Sequence, residues 1–536
     1  MNSPPDSHRQ IARSAGLTGV ATLTSRLLGL ARDQVLAALF GAGNEMDAFV
    51  VAFRVPNLVR DLFAEGAMSA AFVPTFTRQL TLQGRDEAWR LGNNLLNILL
   101  VTTAGLVIAG MWLARPIVVA LAHDFAGVPG KLELTIALTR IMLPFLTMAA
   151  VAAAIMGMLN SLHHYFVPSL APAMFNIATI ACAFLLVPLM PLAGWPRITA
   201  IAMAALAGGA LQIVVQWPPL VREGFHYRPV LDWRDRTVRE VLTLMGPGTI
   251  GLAAAQVNLF VNTLLATSQG TGAVSWLGYA FRLMYLPIGL FGVSIGTAVL
   301  PAVSRHAAVE DVDRIRATVT HGMALMIVLS VPATLGLMAL ADPVVGVLFE
   351  RGRFTAADTA ATATAVRFYA IGLIGYASVR IVSPVFYAIR RNSIPVLISV
   401  ASIVLNVVLT VILVRVMGFG GLALGTSLAA LANAALSILV LQRKLKGIDN
   451  RHLVSTFWRT CTAAALMALA ARGIARAMMA AAPGPSLLMQ LLRLFASIGG
   501  AVTVLTIAAR VLRIREFDDV RIMMVRRLGV HTSASI

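Results

Sequence analysis

Long apolar runs follow one another from residue 16 to residue 510, and they leave no stretch in which a sizeable soluble domain could fold. A helix needs roughly 20 mostly apolar residues to cross the hydrocarbon core of a bilayer. On that basis the 536 residues read as fourteen spans, at 16–41, 47–76, 89–114, 133–160, 168–191, 196–220, 239–266, 273–303, 317–341, 356–389, 393–415, 419–443, 453–479 and 486–510. Several contain Pro or Gly, which membrane helices tolerate. The expectation is an all-α polytopic membrane protein with fourteen transmembrane helices.

Charge agrees. Only 12% of the residues are charged, about half the share usual in soluble domains. The net charge of +19 could suggest nucleic acid, but no basic, aromatic-interleaved domain is present, so no nucleic-acid partner is expected. Instead Lys and Arg follow the loops. The N-terminus, the loops after even-numbered spans and the C-terminal tail hold 26, and the opposite loops, Lys131 among them, hold 8. That bias places both termini in the cytoplasm. The first apolar run lacks a small-residue cleavage site and reads as a retained helix. Cys182 and Cys461 are far apart in apolar stretches and form no disulfide framework or metal site. No Walker A sequence, HExxH or nucleophile elbow occurs, so no cofactor and no enzymatic activity are expected.

The two halves repeat. Val73-Pro74 matches Leu300-Pro301, Ala114-Arg115-Pro116 matches Ala341-Asp342-Pro343, Arg140 matches Arg367, and His163-His164 matches Arg390-Arg391, each 227 residues apart. Ala52-Phe53-Arg54 matches Ala280-Phe281-Arg282 at 228. A six-helix unit keeps both copies in one orientation, related by a pseudo-twofold axis along the membrane normal, with a substrate site expected between them. The expected organisation is a cytoplasmic N-terminus (1–15), an N-lobe (16–225), a C-lobe (226–448), two extra helices (449–512) and a cytoplasmic tail (513–536).

The first two spans carry Arg26, Arg32, Arg54 and Arg60. An arginine at a helix centre costs about 2.5–3.5 kcal/mol even on lenient insertion scales, so such residues face a wet cavity or find partners. Asp33, Asp47, Asp61 and Glu65 lie in the same spans and could compensate them in a structural network. The repeat argues for more than architecture. At the 228 offset, Arg26, Arg32 and Arg60 face Ala254, Phe260 and Ile288, and only Arg54 keeps its charge, as Arg282. A one-sided set of arginines suits a phosphate or diphosphate, which the planar guanidinium binds through bidentate, charge-assisted hydrogen bonds.

These stretches resemble the MurJ/MviN family of lipid II flippases. The resemblance is carried by Ser25-Arg26-Leu27-Leu28-Gly29-Leu30-Ala31-Arg32-Asp33, Asp47-Ala48-Phe49, Pro56-Asn57-Leu58 before Arg60, Phe63-Ala64-Glu65-Gly66-Ala67, Ser275-Trp276, Arg282-Leu283 and Leu300-Pro301. It implies a member of the multidrug/oligosaccharidyl-lipid/polysaccharide exporter superfamily. Such a protein would move lipid II, the undecaprenyl-diphosphate-linked peptidoglycan precursor, from the cytoplasmic to the periplasmic leaflet by alternating access. It would work among membrane lipids and as a monomer. It further implies substrate handling by Ser25, Arg26, Arg32, Arg54, Arg60 and Arg282, a functional acid at Asp47, and a lipid-tail groove on spans 13 and 14. The chain departs from some members at Phe281 and Tyr285, where they carry acids. Asn262 and Thr410 stand where sodium-binding members carry carboxylates, so membrane-potential coupling is at least as well supported as sodium coupling. The alternative is a flippase for another lipid-linked oligosaccharide, such as an O-antigen or exopolysaccharide unit. A drug/cation antiporter would need an acid-dominated cavity, and a membrane glycosyltransferase would need catalytic acids in long outer loops.

Overall fold

The computed structural model describes residues 5–61, 67–481, 484 and 486–519. Among them the chain is helical and contains no strand. Ten helical segments among the described residues are long and apolar enough to cross a membrane. They coincide with ten of the expected spans. The other four expected spans fall on α1 (Pro5–Phe40), on α2 (Asn44–Arg60) with α3 (Ala67–Leu82), on α10 (Arg236–Thr267), and on α11 (Ala273–Pro287) with a π turn and α12 (Val293–Ala308). Glu65 lies outside the described residues.

Two compact units emerge. The first comprises residues 1–275 with 351–354, and the second comprises 276–350 with 355–536. The boundary at 226 marks the sequence repeat. Compactness divides the chain later because α10 packs on α3.

The first unit also contains α4 (Arg85–Trp112), α5 (Ala114–Leu121), α6 (Lys131–Met142), α7 (Phe145–Ser161), α8 (Phe166–Leu185) and α9 (Thr199–Arg222). The single expected span at 133–160 is divided at Leu143-Pro144, where proline removes a backbone donor. The core joins Phe72 and Phe76 of α3, Trp89 and Leu95 of α4, Met158 of α7 and Val241 of α10. A chain of ring contacts runs from Phe72 through Phe76 and Trp89 to Phe225, with centroids 5.4–5.7 Å apart, spacings typical of favourable aromatic pairs. At the end of α1, Gly41 (φ +63°) and Gly352 (φ +59°) adopt left-handed backbone. A Cβ on Gly352 would collide with the Ala38 carbonyl. This close approach lets Arg353 N donate to Ala38 O at 2.9 Å, which attaches residues 351–354 to the first unit.

The second unit continues with α13 (Val312–Ala339), α14 (Ala341–Phe349), α15 (Ala356–Ala388), α16 (Ser393–Met417), α17 (Phe419–Lys444), α18 (Asn450–Ala481) and α19 (Leu487–Val511). Its core joins Val303, Val319, Met323, Ile381, Val385, Leu441 and Leu453. Helices α18 and α19 attach through Met467, Ala471 and Ala501, packed with Leu340.

The repeat is visible in the helix limits. α4 and α13 start and end 227 residues apart, and so do the starts of α5 and α14. The ends of α7 and α15 and the starts of α8 and α16 keep the same offset. His163 and Arg390, also 227 apart, both adopt positive φ in the turns that follow. Beyond those starts the limits diverge by several residues, because the α8–α9 connection is long and holds a 3-10 turn, while Gly418 alone joins α16 to α17.

Candidate anion-binding site

Arginines in α1 and α2 are positioned by polar and aromatic neighbours. Asn176 of α8 donates to the Ser25 carbonyl at 3.1 Å and lies beside Gly29, 3.6 Å from where a Cβ would stand. α1 is thereby fixed on α8 one residue before Arg26. Arg26 itself is exposed and has no ion pair among the described residues.

Arg32 is partly buried and bound to Asp33, with Nε at 3.1 Å and Nη2 at 2.8 Å from the same carboxylate oxygen. Its guanidinium carbon lies 5.6 Å from the Phe175 ring centroid, within cation–π range. Phe175 also stacks on Phe53 at 5.6 Å, and Phe53 on Phe49 at 5.8 Å. Arg32 of α1 and the Phe53-Arg54 step of α2 therefore share one aromatic neighbour on α8. Arg60 is half-buried at the end of α2 and paired to Asp61 through Nε at 3.0 Å and Nη2 at 2.7 Å.

Asp47 is the most constrained of the expected site residues. Its side chain is wholly buried, as is that of Lys131, whose ammonium lies 2.9 Å from Asp47 Oδ2. Gly272 N donates to Oδ2 at 2.7 Å, and Ser275 donates to Oδ1 through its backbone N at 3.1 Å and its Oγ at 2.7 Å. Those two amides belong to the first turn of α11, where helix N–H groups lack intrahelical partners. Asp47 therefore caps α11 from another helix and neutralises Lys131 at the same time. Lys131 Nζ is also 4.1 Å from the Phe125 ring centroid. A buried ion pair is tolerated when further hydrogen bonds satisfy its lone pairs, and here α11 supplies three. The sequence reading counts Lys131 as an outer-loop charge. The structure instead buries it at the start of α6, because Asp47 is there to receive it.

Arg282 belongs to the second unit, on α11, and is exposed. The positions that could have carried acids form an aromatic group. Phe281 lies 5.5 Å from Tyr285 and 5.4 Å from Tyr369. Arg380 of α15 donates to the Tyr285 hydroxyl at 3.1 Å. Arg380 escaped the sequence reading because it has no charged counterpart in the first half. Its signal was an arginine inside an apolar helix. The structure brings Ser25, Arg32 and Phe53-Arg54 around α8, seats Asp47 in its own buried cluster, and joins Arg380 to Tyr285 on the helix that carries Arg282.

A sequence model of the family described as lipid II flippase MurJ matches residues 36–492. The probable lipid II flippase MurJ of Vibrio cholerae is 35% identical over 435 residues, which is 80% of this chain and 82% of that one. The probable lipid II flippase MurJ of Bdellovibrio bacteriovorus is 32% identical over 518 residues, covering 96% of this chain and 97% of its own. Among solved structures, a lipid II flippase MurJ in an inward closed conformation superposes with a TM-score of 0.75 at 24% identity, over 92% of this chain and 99% of that one. An inward-facing multidrug-resistance transporter of the MATE family gives 0.68 at 14% identity, over 81% and 98%. These two likenesses concern the fold. With the ten apolar helices they describe a multi-pass membrane protein of transporter architecture.

Proposed function

The chain belongs to the lipid II flippase MurJ family, and from that premise we propose that it moves lipid II from the cytoplasmic to the periplasmic leaflet of a bacterial inner membrane. The family match over residues 36–492 carries this reading. Ser25, Arg26 and Arg32 precede that stretch, so their assignment rests on their chemistry. Guanidinium groups suit the two phosphates of the cargo, and a fixed positive charge needs no proton exchange to stay competent across the cycle.

In this reading the protein works by alternating access as a single chain, with both termini cytoplasmic. Arg26, Arg54, Arg60 and Arg282 engage the diphosphate. Arg32 carries its counterion Asp33 with it, and Asp47 serves by position. The α18–α19 pair offers exposed Leu469, Phe495 and Val502, an apolar surface suited to the polyprenyl tail. No covalent step is required, so the protein acts as a transporter and not as a catalyst.

The test is rescue of cells depleted of their own lipid II flippase. The wild-type chain should restore growth. Arg26→Ala and Arg60→Ala should abolish rescue while the protein is still made and inserted. Full rescue by both variants would remove these arginines from the cargo site. Failure of the wild-type chain, with transport of a different undecaprenyl-diphosphate sugar in reconstituted vesicles, would replace lipid II by another lipid-linked oligosaccharide.

A further inference from the structure

Residues 450–515 contain no Asp or Glu, yet they carry Arg451, Arg459, Arg472, Arg476, Arg493, Arg510, Arg513 and Arg515. Five of these lie toward one end of the α18–α19 hairpin, where the positive-inside bias expects them. Arg472, Arg476 and Arg493 lie toward the turn and do not fit that bias.

Arg493 is the most demanding of the three. The residue is only 8% exposed, and its Nε is buried with no hydrogen-bond partner. Its terminal nitrogens reach the Gly484 carbonyl and the Met479 sulfur. Neither is an anion, and no carboxylate pairs with it among the described residues. A carbonyl cap accounts for one terminal nitrogen and leaves the charge without a counterion, which is costly away from water.

Arg472 and Arg476 are both exposed on α18. At four residues apart they share one helix face, separated by about 6 Å of rise. The packing of Ile474 against Gly500 sets the register of the antiparallel pair. Arg493 then stands level with Ala481, about 7.5 Å of helix rise beyond Arg476. Arginines at membrane depth mark a functional site by default, and basic sites between membrane helices suit lipid phosphates.

We propose that the turn-side end of the α18–α19 hairpin holds the phosphate of an outer-leaflet membrane lipid, with Arg493 as its buried anchor and Arg472 and Arg476 as its outer clamp. This site is separate from the α1–α2 arginines and stands whichever lipid is transported. The phosphate could belong to a glycerophospholipid headgroup or to a polyprenyl diphosphate, and the chemistry of recognition is the same.

The experiment is lipid titration of the purified full-length protein in detergent, read by native mass spectrometry. The probes are phosphatidylglycerol, undecaprenyl diphosphate and, as a phosphate-free control, diacylglycerol. The double variant Arg472→Gln/Arg476→Gln should weaken binding of at least one phosphate lipid by about tenfold, the order expected for losing charge-assisted hydrogen bonds. Diacylglycerol binding should be unchanged. Loss confined to phosphatidylglycerol identifies a glycerophospholipid site, and loss confined to undecaprenyl diphosphate identifies a carrier-lipid site. Arg493→Lys should retain binding that Arg493→Gln loses. The double variant avoids the buried position, so it reads the site even if Arg493→Gln fails to fold. Unchanged binding of both phosphate lipids by the double variant, or a parallel fall for diacylglycerol, would overturn the proposal. Because the readout is binding and not rescue, it can fail independently of the flippase reading.

Discussion

The two copies of the repeat share a backbone and differ in chemistry. α4 and α13 have the same limits 227 residues apart, but only α4 carries a row of buried amides. Asn93 donates to His226 O and accepts from Arg228 N, and Asn94 donates to Asp232 O and accepts from Asp232 N. Asn97 donates to Arg228 O and Val230 O and accepts from the Tyr227 hydroxyl. The irregular segment leading to α10 is thus held by side-chain amides. In α13 the same positions are Thr320, His321 and Ala324. The arginines are equally one-sided, although Arg380 adds to the second unit a basic residue that pairwise matching could not show. Helix limits follow apolar pattern and turns, which both copies keep. Polar side chains are placed where one copy alone has something to hold.

The sharpest test of this contrast is Asp47. Asp47→Ala strands Lys131 and two amides of α11 in a buried site, and should cost about 3–5 kcal/mol. Lys131→Met leaves Asp47 with three donors and should cost clearly less. Thermal unfolding in detergent orders the two variants, and equal losses would mean that the α11 cap contributes nothing. Next comes Asn94→Ala, which leaves the Asp232 amide and carbonyl without their partner and should cost about 1–3 kcal/mol. The counterpart His321→Ala in α13 should cost less, and a larger loss there would break the comparison.

The smallest effect concerns Glu223, at the end of α9. Its carboxyl is held below the ordinary range, first by the hydrogen bond with His164 at 2.8 Å and more weakly by the charges of His164 and Arg85, against partial burial. Such a depressed group contributes stability above its unfolded value of about 4.3, and loses it as pH falls through the lower folded value. Its partners His164 and Arg85 are exposed, so Glu223→Gln should cost less than about 1 kcal/mol at neutral pH. The gap in melting temperature between the two proteins should close as the pH is lowered to about 4 and below. A gap that widens would reverse the sign.

Much of the architecture was legible in the sequence. Apolar run lengths located the helices because a bilayer demands them, and matched Pro-containing turns revealed the repeat. The unusual arginines were legible too, since charge inside an apolar run is costly and therefore conspicuous. Their partners were partly so. Asp33 and Asp61 adjoin Arg32 and Arg60 in the chain, and the pairs are local. Partners distant in sequence were not. Asn176 looks like one polar residue in an apolar helix until it meets Ser25. Lys131 reads as a loop charge until Asp47, 84 residues away, buries it.

By itself, then, the sequence determined where helices form, how they repeat and which charges demand an explanation, because these follow from the local cost of placing backbone and charge in lipid. Only the tertiary structure decided which of those charges are neutralised. Asp47 is enclosed by Lys131 and α11, Arg32 and Arg60 carry their own acids, and Arg493 is buried without one among the described residues. Compensation depends on distances between residues far apart in the chain, and those exist only once the helices have packed.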